Sequence, residues 1–505
     1  MLRSEMEKLG FRHGNADLTV FFCFGDNKSV EITGWYVDDG LLASNSVESM
    51  DHMIQSIKGS FDIQDLGEPD RLLGIMITRD RDLGTIHISQ PSFIDTIARH
   101  FAISHGRAIS SPMNLLVNLY ASTNTDETID VPYASLIGSI NYCAISTWPD
   151  IAFATNKCAQ FTSKPTLAHW EAAKHIIRCL LNTRDYGITY QQEGRGVEGY
   201  RHNLAGFTDA DFAGDVNDRK STTGWIFTFN GAPVSWASKK QGLVTRSSME
   251  AELVAGSMAT AEGIWLVRLG KDFKHDFTPI PMFTNNQSFI TFTRNDTNNA
   301  RTKHIDTNYH YTRKQVNAGN IQLCYVASLE NLADILTKPL SPRKHVNLLS
   351  ILGIHRAWRG VSWNQVHRTH DARHQFLSIS HLTITPTSRA PSIEYSRDPL
   401  HRTSSAQGHT YMQNPHAHMR RSNEYAKCFF FVTSIHFLFS CSLSYSIKPH
   451  SRLISLCCPT NHMIFFYSFP TTLQQSCSVF LTSDRFSYHV FSTPHVCSSR
   501  PWSYK

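Results

Sequence analysis

Residues 206–215 read GFTDADFAGD, and this stretch decides the fold of the second half of the chain. The pattern predicts a short strand that ends at Thr208 and leads into closely spaced carboxylates. Residues 222–239 then read TTGWIFTF-NG-APVSWASK, two strand-like runs joined by Asn230-Gly231, a pair that supplies the positive φ of a two-residue turn. We therefore expect three consecutive antiparallel strands, with Asp209 at the end of the first.

The remaining elements of this half alternate helices and strands. A long helix is predicted from Ser247 to Lys271, a strand from Pro281 to Thr284, a strand from Ile321 to Val326 and a last helix from Leu329 to Thr337. The resulting order, βββαβαβα, predicts a mixed sheet with helices on its faces.

Polar side chains recur at strand ends and helix starts in four separated segments. Asp209 ends the first strand, and SSMEAELVA places Glu250 and Glu252 near the start of the long helix. FTNNQS places Asn285 after the fourth strand, and ENLADILTKPL places Asp334 on the last helix. Clustered carboxylates are what two-metal cleavage of a phosphodiester requires, because Mg²⁺ takes hard oxygen ligands. A single acid at such a position is usually just solvated, so the hypothesis depends on all four segments together.

At these segments the sequence resembles the ribonuclease H domain of Ty1/copia retrotransposons. The match covers about residues 204–340 and includes the blocks DRKSTTGWIFTFNGAPVSWASKKQ, TRSSMEAELVA, RTKHIDTNYHYTRKQVNAGNIQLCYV and NLADILTKPL. The resemblance implies a ribonuclease H-like mixed five-stranded sheet with flanking helices, and hydrolysis of the RNA strand of RNA–DNA hybrids with Mg²⁺ or Mn²⁺. It assigns metal binding to Asp209, Glu252 and Asp334. Glu252 is preferred over Glu250 because an apolar residue and then Ala255 follow it, as in the family.

The third carboxylate of the family is an Asp immediately before Asn-Gln-Ser, and Asn285 occupies that position here. A neutral amide brings no charge, so at least one metal should bind less well and little or no hydrolysis is expected. Two alternatives stay open. One is an active hybrid ribonuclease in which Asp211 or Glu250 takes over a ligand role. The other is a non-catalytic module that holds the hybrid through phosphate and 2′-OH contacts.

The first part of the chain carries a weaker motif. Residues 35–39 read WYVDD, a strand that runs into paired carboxylates, which alone is more often an ordinary hairpin. However, residues 1–185 resemble the reverse transcriptase palm end, thumb and connecting region of the same family. This implies that Asp38 and Asp39 help to hold the polymerase Mg²⁺ ions. The family's polymerase also needs an upstream Asp and fingers, for which the chain leaves no room, so polymerase activity of this chain alone is not expected.

Four parts are predicted along the chain: a truncated reverse transcriptase palm end and thumb (1–115), a helical connection region (116–195), a ribonuclease H-like domain (196–345) and a disordered or irregular Ser/His-rich tail (346–505). From Val361 onward lie 13 of the 48 Lys/Arg and 5 of the 42 Asp/Glu. Residues before that point therefore carry a net charge of −2, and the basic excess belongs to the tail.

The expected location is intracellular, in cytoplasm or nucleus. The N-terminus has no apolar stretch after its charges, and the five cysteines before the tail lack CxxC spacing, as suits reduced thiols. Cys428 to Ile447 is long enough to span a bilayer but contains His436 and six Ser/Thr, so a membrane helix is not expected.

The expected partners are an RNA–DNA hybrid or other nucleic acid and further retrotransposon polyprotein chains, without a small-molecule cofactor. Several basic residues close to the candidate site in sequence are possible phosphate contacts, or only a solvated face. These residues are Lys239, Lys240, Arg246, Arg301 and Lys303.

Overall fold

The computed structural model describes residues 2–25, 29–36, 39–61, 63–104, 106, 109–122, 128–191, 204–294 and 306–356, with three short strands beyond residue 450. Contacts between Cα atoms group Met1–Ala357 with Arg421–Lys505 in one compact unit, apart from Trp358–Arg420. Everything below concerns the first unit.

The described α-helices are α1 (Leu2–Lys8), α2 (Val47–Ser60), α3 (Pro91–His100), α4 (Tyr133–Ser146), α5 (Ala152–Ala159), α6 (Leu167–Asn182), α7 (Ser248–Asp272), α8 (Gln287–Arg294), α9 (Asp306–Asn317) and α10 (Pro342–Ile351). Short 3₁₀ helices span Pro149–Ile151 and Leu332–Leu336. The strands are β1 (Arg12–His13), β2 (Val20–Phe24), β3 (Val30–Tyr36), β4 (Asp39–Ser44), β5 (Gln64–Asp65), β6 (Arg71–Leu72), β7 (Ile75–Asp80), β8 (Thr85–Ser89), β9 (Tyr186–Gln191), β10 (Leu204–Asp211), β11 (Thr222–Phe229), β12 (Ala232–Lys240), β13 (Ile280–Thr284), β14 (Ile321–Tyr325), β15 (Ile354–Arg356), β16 (Leu456–Cys457), β17 (Met463–Ile464) and β18 (Ser487–Ser492).

The mixed five-stranded sheet predicted for the second half is confirmed. Its strand order is β12-β11-β10-β13-β14, with β10, β11 and β12 antiparallel and with β13 and β14 parallel to β10. Asn230 and Gly231 have φ of 49° and 85°, as the two-residue turn between β11 and β12 requires. Helix α7 begins after Ser247, whose side chain accepts a hydrogen bond from the Glu250 N–H at 3.2 Å.

The predicted last helix is shorter and tighter than expected. Residues Leu332–Leu336 form a 3₁₀ helix, not an α-helix from Leu329 to Thr337. The reason lies in Asn331, which is fully buried. Its Nδ2 donates to the Thr208 carbonyl at 3.0 Å and its Oδ1 accepts from the Ala333 N–H at 3.1 Å. These bonds fix the start of the turn against the end of β10.

A second sheet joins strands that are far apart in sequence, in the order β15-β9-β8-β7-β6. Strand β9 was not predicted, because its pairing with β8 and β15 depends on contacts remote in sequence. The predicted boundaries at residues 115, 195 and 345 stay a prediction, although this sheet takes strands from three of the four predicted parts.

The prediction of an irregular tail from residue 346 onward is wrong at two places. Helix α10 continues to Ile351 and β15 follows it, because Leu348, Leu349 and Ile354 are buried in the core. Strand β18 also joins the sheet β1-β2-β3-β4-β18-β5, antiparallel to β4 and β5. Apart from β16 and β17, the rest of the tail lies outside the described residues.

Helices α3 to α6 share a hydrophobic core of their own around Tyr133 and Trp148. A larger core is shared by β2 to β4, the second sheet, the mixed sheet and α7. Within the described part of the chain, no helix combines the length and apolar character that crossing a membrane requires. The apolar run Cys428 to Ile447 lies outside the described residues.

Candidate functional site

Three of the predicted carboxylates lie at one end of the mixed sheet. Asp209 is near the end of the central strand β10, Glu252 is in the first turns of α7 and Asp334 is in the 3₁₀ helix. All three are buried. The 3₁₀ helix can approach β11 because Gly224 has no side chain. A Cβ there would lie 2.6 Å from Thr337 Cγ2.

Two lysine side chains contact this cluster. Lys338 Nζ lies 2.7 Å from Asp334 Oδ1 and 3.3 Å from Asp209 Oδ2. Lys344 Nζ contacts the second oxygen of Asp334. Thr337 Oγ1 donates to Asp209 Oδ2 at 2.5 Å. Both carboxylates of the pair are therefore partnered by side chains that follow them in sequence.

Glu252 is the least satisfied member of the cluster. Its Oε2 is buried and has no hydrogen-bond partner in the described part of the chain. Burial and the nearby charge of Asp209 raise its pKa well above the ordinary value, against an opposing hydrogen bond from the Ala210 backbone. Burial also raises the pKa of Asp209, and Asp334 adds to the rise while Lys338 and Thr337 oppose it. Glu252 and Asp209 are therefore harder to ionise than free carboxylic acids.

Asn285 follows β13 and forms a hydrogen bond with a residue other than the three carboxylates. Its Nδ2 donates to Ser328 Oγ at 3.1 Å. The adjacent Asn286 caps the start of α8, where its Oδ1 accepts a hydrogen bond from the Phe289 N–H at 2.9 Å. The position where the family pattern has an Asp is therefore engaged with a serine hydroxyl.

The two substitute ligands considered above differ in their surroundings. Glu250 Oε2 accepts from the Arg246 backbone N–H at 2.7 Å, which ties it to the start of α7. Asp211 is partly buried at the end of β10, and burial raises its pKa against the opposing charges of Lys157 and Lys338. Asp211 and Asp209 are thus both influenced by the charge of Lys338.

The chain is similar to a polymerase family in its first part and to retrotransposon Pol polyproteins over about two thirds of its length. The family model described as "Reverse transcriptase (RNA-dependent DNA polymerase)" matches residues 1–115. The Retrovirus-related Pol polyprotein from transposon TNT 1-94 of Nicotiana tabacum is 33% identical over 67% of this chain and 26% of its own length. That from transposon RE1 of Arabidopsis thaliana is 33% identical over 70% of this chain and 24% of its own. The chain belongs to the copia-type retrotransposon Pol polyprotein family.

This Pol-related chain spans about a quarter of the length of those relatives. Among solved structures, similarity is found to the N-terminal RNase H domain of rv2228c from Mycobacterium tuberculosis, solved as a fusion protein with maltose binding protein. The sequence identity is 13% and the TM-score 0.21, covering 29% of this chain and 97% of that one.

The donor set of the Pol-related chain fits a divalent cation in its chemistry but not in its present arrangement. Asp209, Glu252 and Asp334 offer the hard oxygen atoms that Mg²⁺ or Mn²⁺ prefers, and Glu252 has an unpartnered oxygen. However, no three His, Cys, Asp or Glu side chains among the described residues are placed to hold a metal ion. The ammonium groups of Lys338 and Lys344 contact two of these carboxylates instead. The metal site stays a prediction.

The polymerase motif is only partly described. Asp39 starts β4 and pairs with Tyr36 across the hairpin, as the strand-turn pattern predicts. Gly40 follows where a Cβ would lie 2.6 Å from the Trp35 ring. Asp38 lies outside the described residues, and the proposed metal role of both aspartates stays a prediction.

Two of the five basic residues predicted as phosphate contacts, Lys239 and Lys240, are engaged within the chain. Lys240 forms ion pairs with Asp215 at 3.0 Å and Asp218 at 2.9 Å. Lys157 reaches the same Asp215 at 3.2 Å, and hydrogen bonds from these cations hold the pKa of Asp215 well below its usual range although burial opposes them. Lys239 lies over the Trp225 ring. Arg301 and Lys303 lie outside the described residues.

Sequence reasoning did not find the contacts of Thr337, Lys338 and Lys344 with the cluster. One pattern could have indicated them: Asp334 and Lys338 are four residues apart, a spacing at which opposite charges meet on a helical turn. Lys344 is ten residues beyond Asp334, and only the position of α10 brings it close.

Proposed function

We propose that residues 196–345 form a ribonuclease H-like module that binds RNA–DNA hybrid or related nucleic acid and hydrolyses the RNA strand slowly or not at all. The observation that carries this proposal is the buried carboxylate cluster at the end of β10, together with the hydrogen bond of Asn285 to Ser328. Family membership supports the substrate class, since the relatives are retrotransposon Pol polyproteins. The module would be a degenerate form of a nucleic-acid-cleaving domain.

Asp209, Glu252 and Asp334 would hold Mg²⁺ or Mn²⁺. A bound divalent ion would polarise the phosphoryl group and lower the pKa of an attacking water. Asn285 cannot take a full part, because its amide contributes at most a neutral oxygen and its NH₂ group donates to Ser328. Loss of one side chain that stabilises transition-state charge costs on the order of 100- to 1,000-fold in rate. We therefore attribute the slow hydrolysis to lost charge stabilisation at the metal site and not to a defect in folding.

Residues 1–115 would be the counterpart of a reverse transcriptase segment, in which Asp38 and Asp39 take part in holding Mg²⁺. In this chain we propose that the segment mainly supports the C-terminal module. Its strands β2 to β4 share one hydrophobic core with the mixed sheet.

The proposal is tested by hydrolysis of a labelled RNA–DNA hybrid with Mg²⁺ or Mn²⁺, using the full chain and an Asn285→Asp variant. We expect the variant to cleave at least about 100-fold faster, because a charged ligand is regained. Asn317→Asp is a matched control: α9 ends just before β14 starts, at the opposite edge of the parallel strands from Asn285. It adds the same charge and should bring no gain.

Other outcomes separate the alternatives. Cleavage by the unmodified chain at the rate of Asn285→Asp, abolished by Asp209→Asn, would support an active ribonuclease and overturn the proposed impairment. Hybrid binding measured by fluorescence anisotropy, with no cleavage by either form, would support the non-catalytic module. Absence of both binding and cleavage in all forms would overturn the assigned substrate class.

A further inference from the structure

Two lysines bring positive charge to a site whose chemistry otherwise calls for a metal ion. Lys338 lies between Asp209 and Asp334, at 3.3 and 2.7 Å, and is about one-third exposed as a side chain. Lys344 contacts the other oxygen of Asp334 and is about one-quarter exposed. The carboxylates themselves are only 2% exposed as side chains. Two ammonium groups are therefore placed against two buried carboxylates.

Each lysine is positioned by its own element. Lys338 follows the 3₁₀ helix at the i+4 position from Asp334. Lys344 is in the first turn of α10, where its backbone N–H donates to Ser341 Oγ at 3.4 Å. Helix α10 is fixed by the burial of Leu348 and Leu349. Lys344 is thus held near Asp334 by packing remote from the site.

A hydrogen-bonded path links these lysines to the altered position. Lys344 Nζ donates to the Ser328 carbonyl at 3.3 Å, while Ser328 Oγ accepts from Asn285 Nδ2 at 3.1 Å. An Asp in place of Asn285 would bring a carboxylate toward the same serine and lysine. Because the amide of Asn285 is neutral, it does not compete with Asp334 for the positive charge of Lys344.

The buried carboxylates of the cluster require positive charge close to them. Two carboxylates this close would repel each other strongly in a buried site unless cations neutralised them. Lys338 and Lys344 supply that neutralisation within the chain. A divalent ion entering the cluster would have to displace at least one ammonium group and leave it without its partner, which costs free energy.

We propose that Lys338 and Lys344 act as internal counter-ions that occupy the carboxylate cluster in place of a divalent metal. The folded site is then stable without metal and binds it weakly. The inference rests on the proposed function in one respect, namely that Asp209, Glu252 and Asp334 are the metal ligands.

The test compares the full chain with a Lys338→Gln/Lys344→Gln double variant by Mn²⁺ titration, followed by electron paramagnetic resonance, and by thermal unfolding in EDTA or Mn²⁺. The unmodified chain should unfold at the same temperature in both solutions. The double variant should be less stable in EDTA, should regain stability with Mn²⁺ and should bind Mn²⁺ at least about tenfold more tightly. Lys314→Gln removes an exposed lysine from α9 and should behave as the unmodified chain.

The contrary results are distinct. Tight Mn²⁺ binding by the unmodified chain that is lost in Asp209→Asn, or a double variant as stable in EDTA as the unmodified chain, would overturn the counter-ion role. A double variant that is destabilised but neither binds Mn²⁺ nor is restored by it would keep the stabilising ion pairs and overturn the replacement of a metal. If adding Asn285→Asp to the double variant also gave no Mn²⁺ binding, the carboxylates would not be metal ligands and the proposed function would fail.

Discussion

At the scale of single residues, His87 shows how burial can set the pKa of a side chain. It lies on β8 with 5% of its surface exposed, and its Nδ1 is 2.9 Å from Thr189 Oγ1. The ring of His355 is 6.5 Å away across the second sheet. Burial, with a smaller contribution from His355, lowers the pKa of His87 to about 4. The ring is therefore held neutral inside the fold.

We predict that this histidine makes the fold sensitive to acid. The pKa of His87 is about 4 in the folded protein, below the value of about 6.5 in the unfolded chain. The stabilisation of the folded state by the neutral His87 ring is therefore fully present above pH 6.5 and is lost as pH falls toward 4. The loss between pH 7 and pH 5 should be about 2 kcal/mol in the free energy of unfolding. Urea unfolding at both pH values measures it. His87→Gln should flatten this dependence, whereas His100→Gln, an exposed change on α3, should not.

Residue identities in the candidate site were open to prediction, but their partners were not. Asp209, Glu252 and Asp334 follow from family blocks and from their positions at strand ends and helix starts. Lysines in a sequence are usually read as solvated, so the contacts of Lys338 and Lys344 depend on where the backbone places them. The direction of a short side chain such as Asn285 likewise depends on a neighbour, Ser328, 43 residues away.

At the scale of elements, α7 is shaped by what packs against it. It runs for 25 residues and is buried along most of its length. Gly256 faces α8 at a point where a Cβ would lie 2.3 Å from Cζ of Phe289, a fully buried ring. A glycine inside a helix usually weakens it relative to alanine. Here close packing between the two helices outweighs that cost.

We therefore predict opposite effects for two glycine replacements. Gly256→Ala should lower the free energy of unfolding by about 1–3 kcal/mol, because the new methyl group forces Phe289 to move in a filled core. Gly59→Ala on α2 has open space around the new methyl group and should raise it by about 0.5–1 kcal/mol. Chemical denaturation of both variants provides the comparison. A stabilised Gly256→Ala protein would contradict the assigned packing.

The sequence pattern predicted the bounds of helices and strands well where local periodicity determines them. Helix α7 (Ser248–Asp272) and strand β14 (Ile321–Tyr325) each lie within one residue of the predicted bounds, Ser247 to Lys271 and Ile321 to Val326. Strand β9 was missed because only three residues separate it from α6 and because its six residues are held as a strand by partners remote in sequence. The 3₁₀ geometry at Leu332–Leu336 was also missed, since a buried asparagine sets it.

At the scale of the whole compact unit, the polymerase-like segment and the mixed sheet are joined by a buried carboxylate. Asp272 ends α7 and accepts hydrogen bonds from the backbone N–H groups of Asn15 and Ala16 and from Asn15 Nδ2, each at 2.8 Å. Trp265 Nε1 donates to the Ala16 carbonyl nearby, at 3.3 Å. These contacts span more than 240 residues of sequence. Together with the shared hydrophobic core, they indicate that the two parts stabilise each other.

The last prediction follows from this junction. Asp272→Ala should lower the free energy of unfolding by about 1–3 kcal/mol, because the backbone N–H groups of Asn15 and Ala16 lose a charged acceptor. Hydrogen exchange should then show faster opening in β3 as well as in β10, since both belong to the shared core. Asp276→Ala is the control, because Asp276 is bonded locally to Thr278. If β3 alone lost protection in Asp272→Ala, the two parts would be independently stable and the supporting role proposed for residues 1–115 would be wrong.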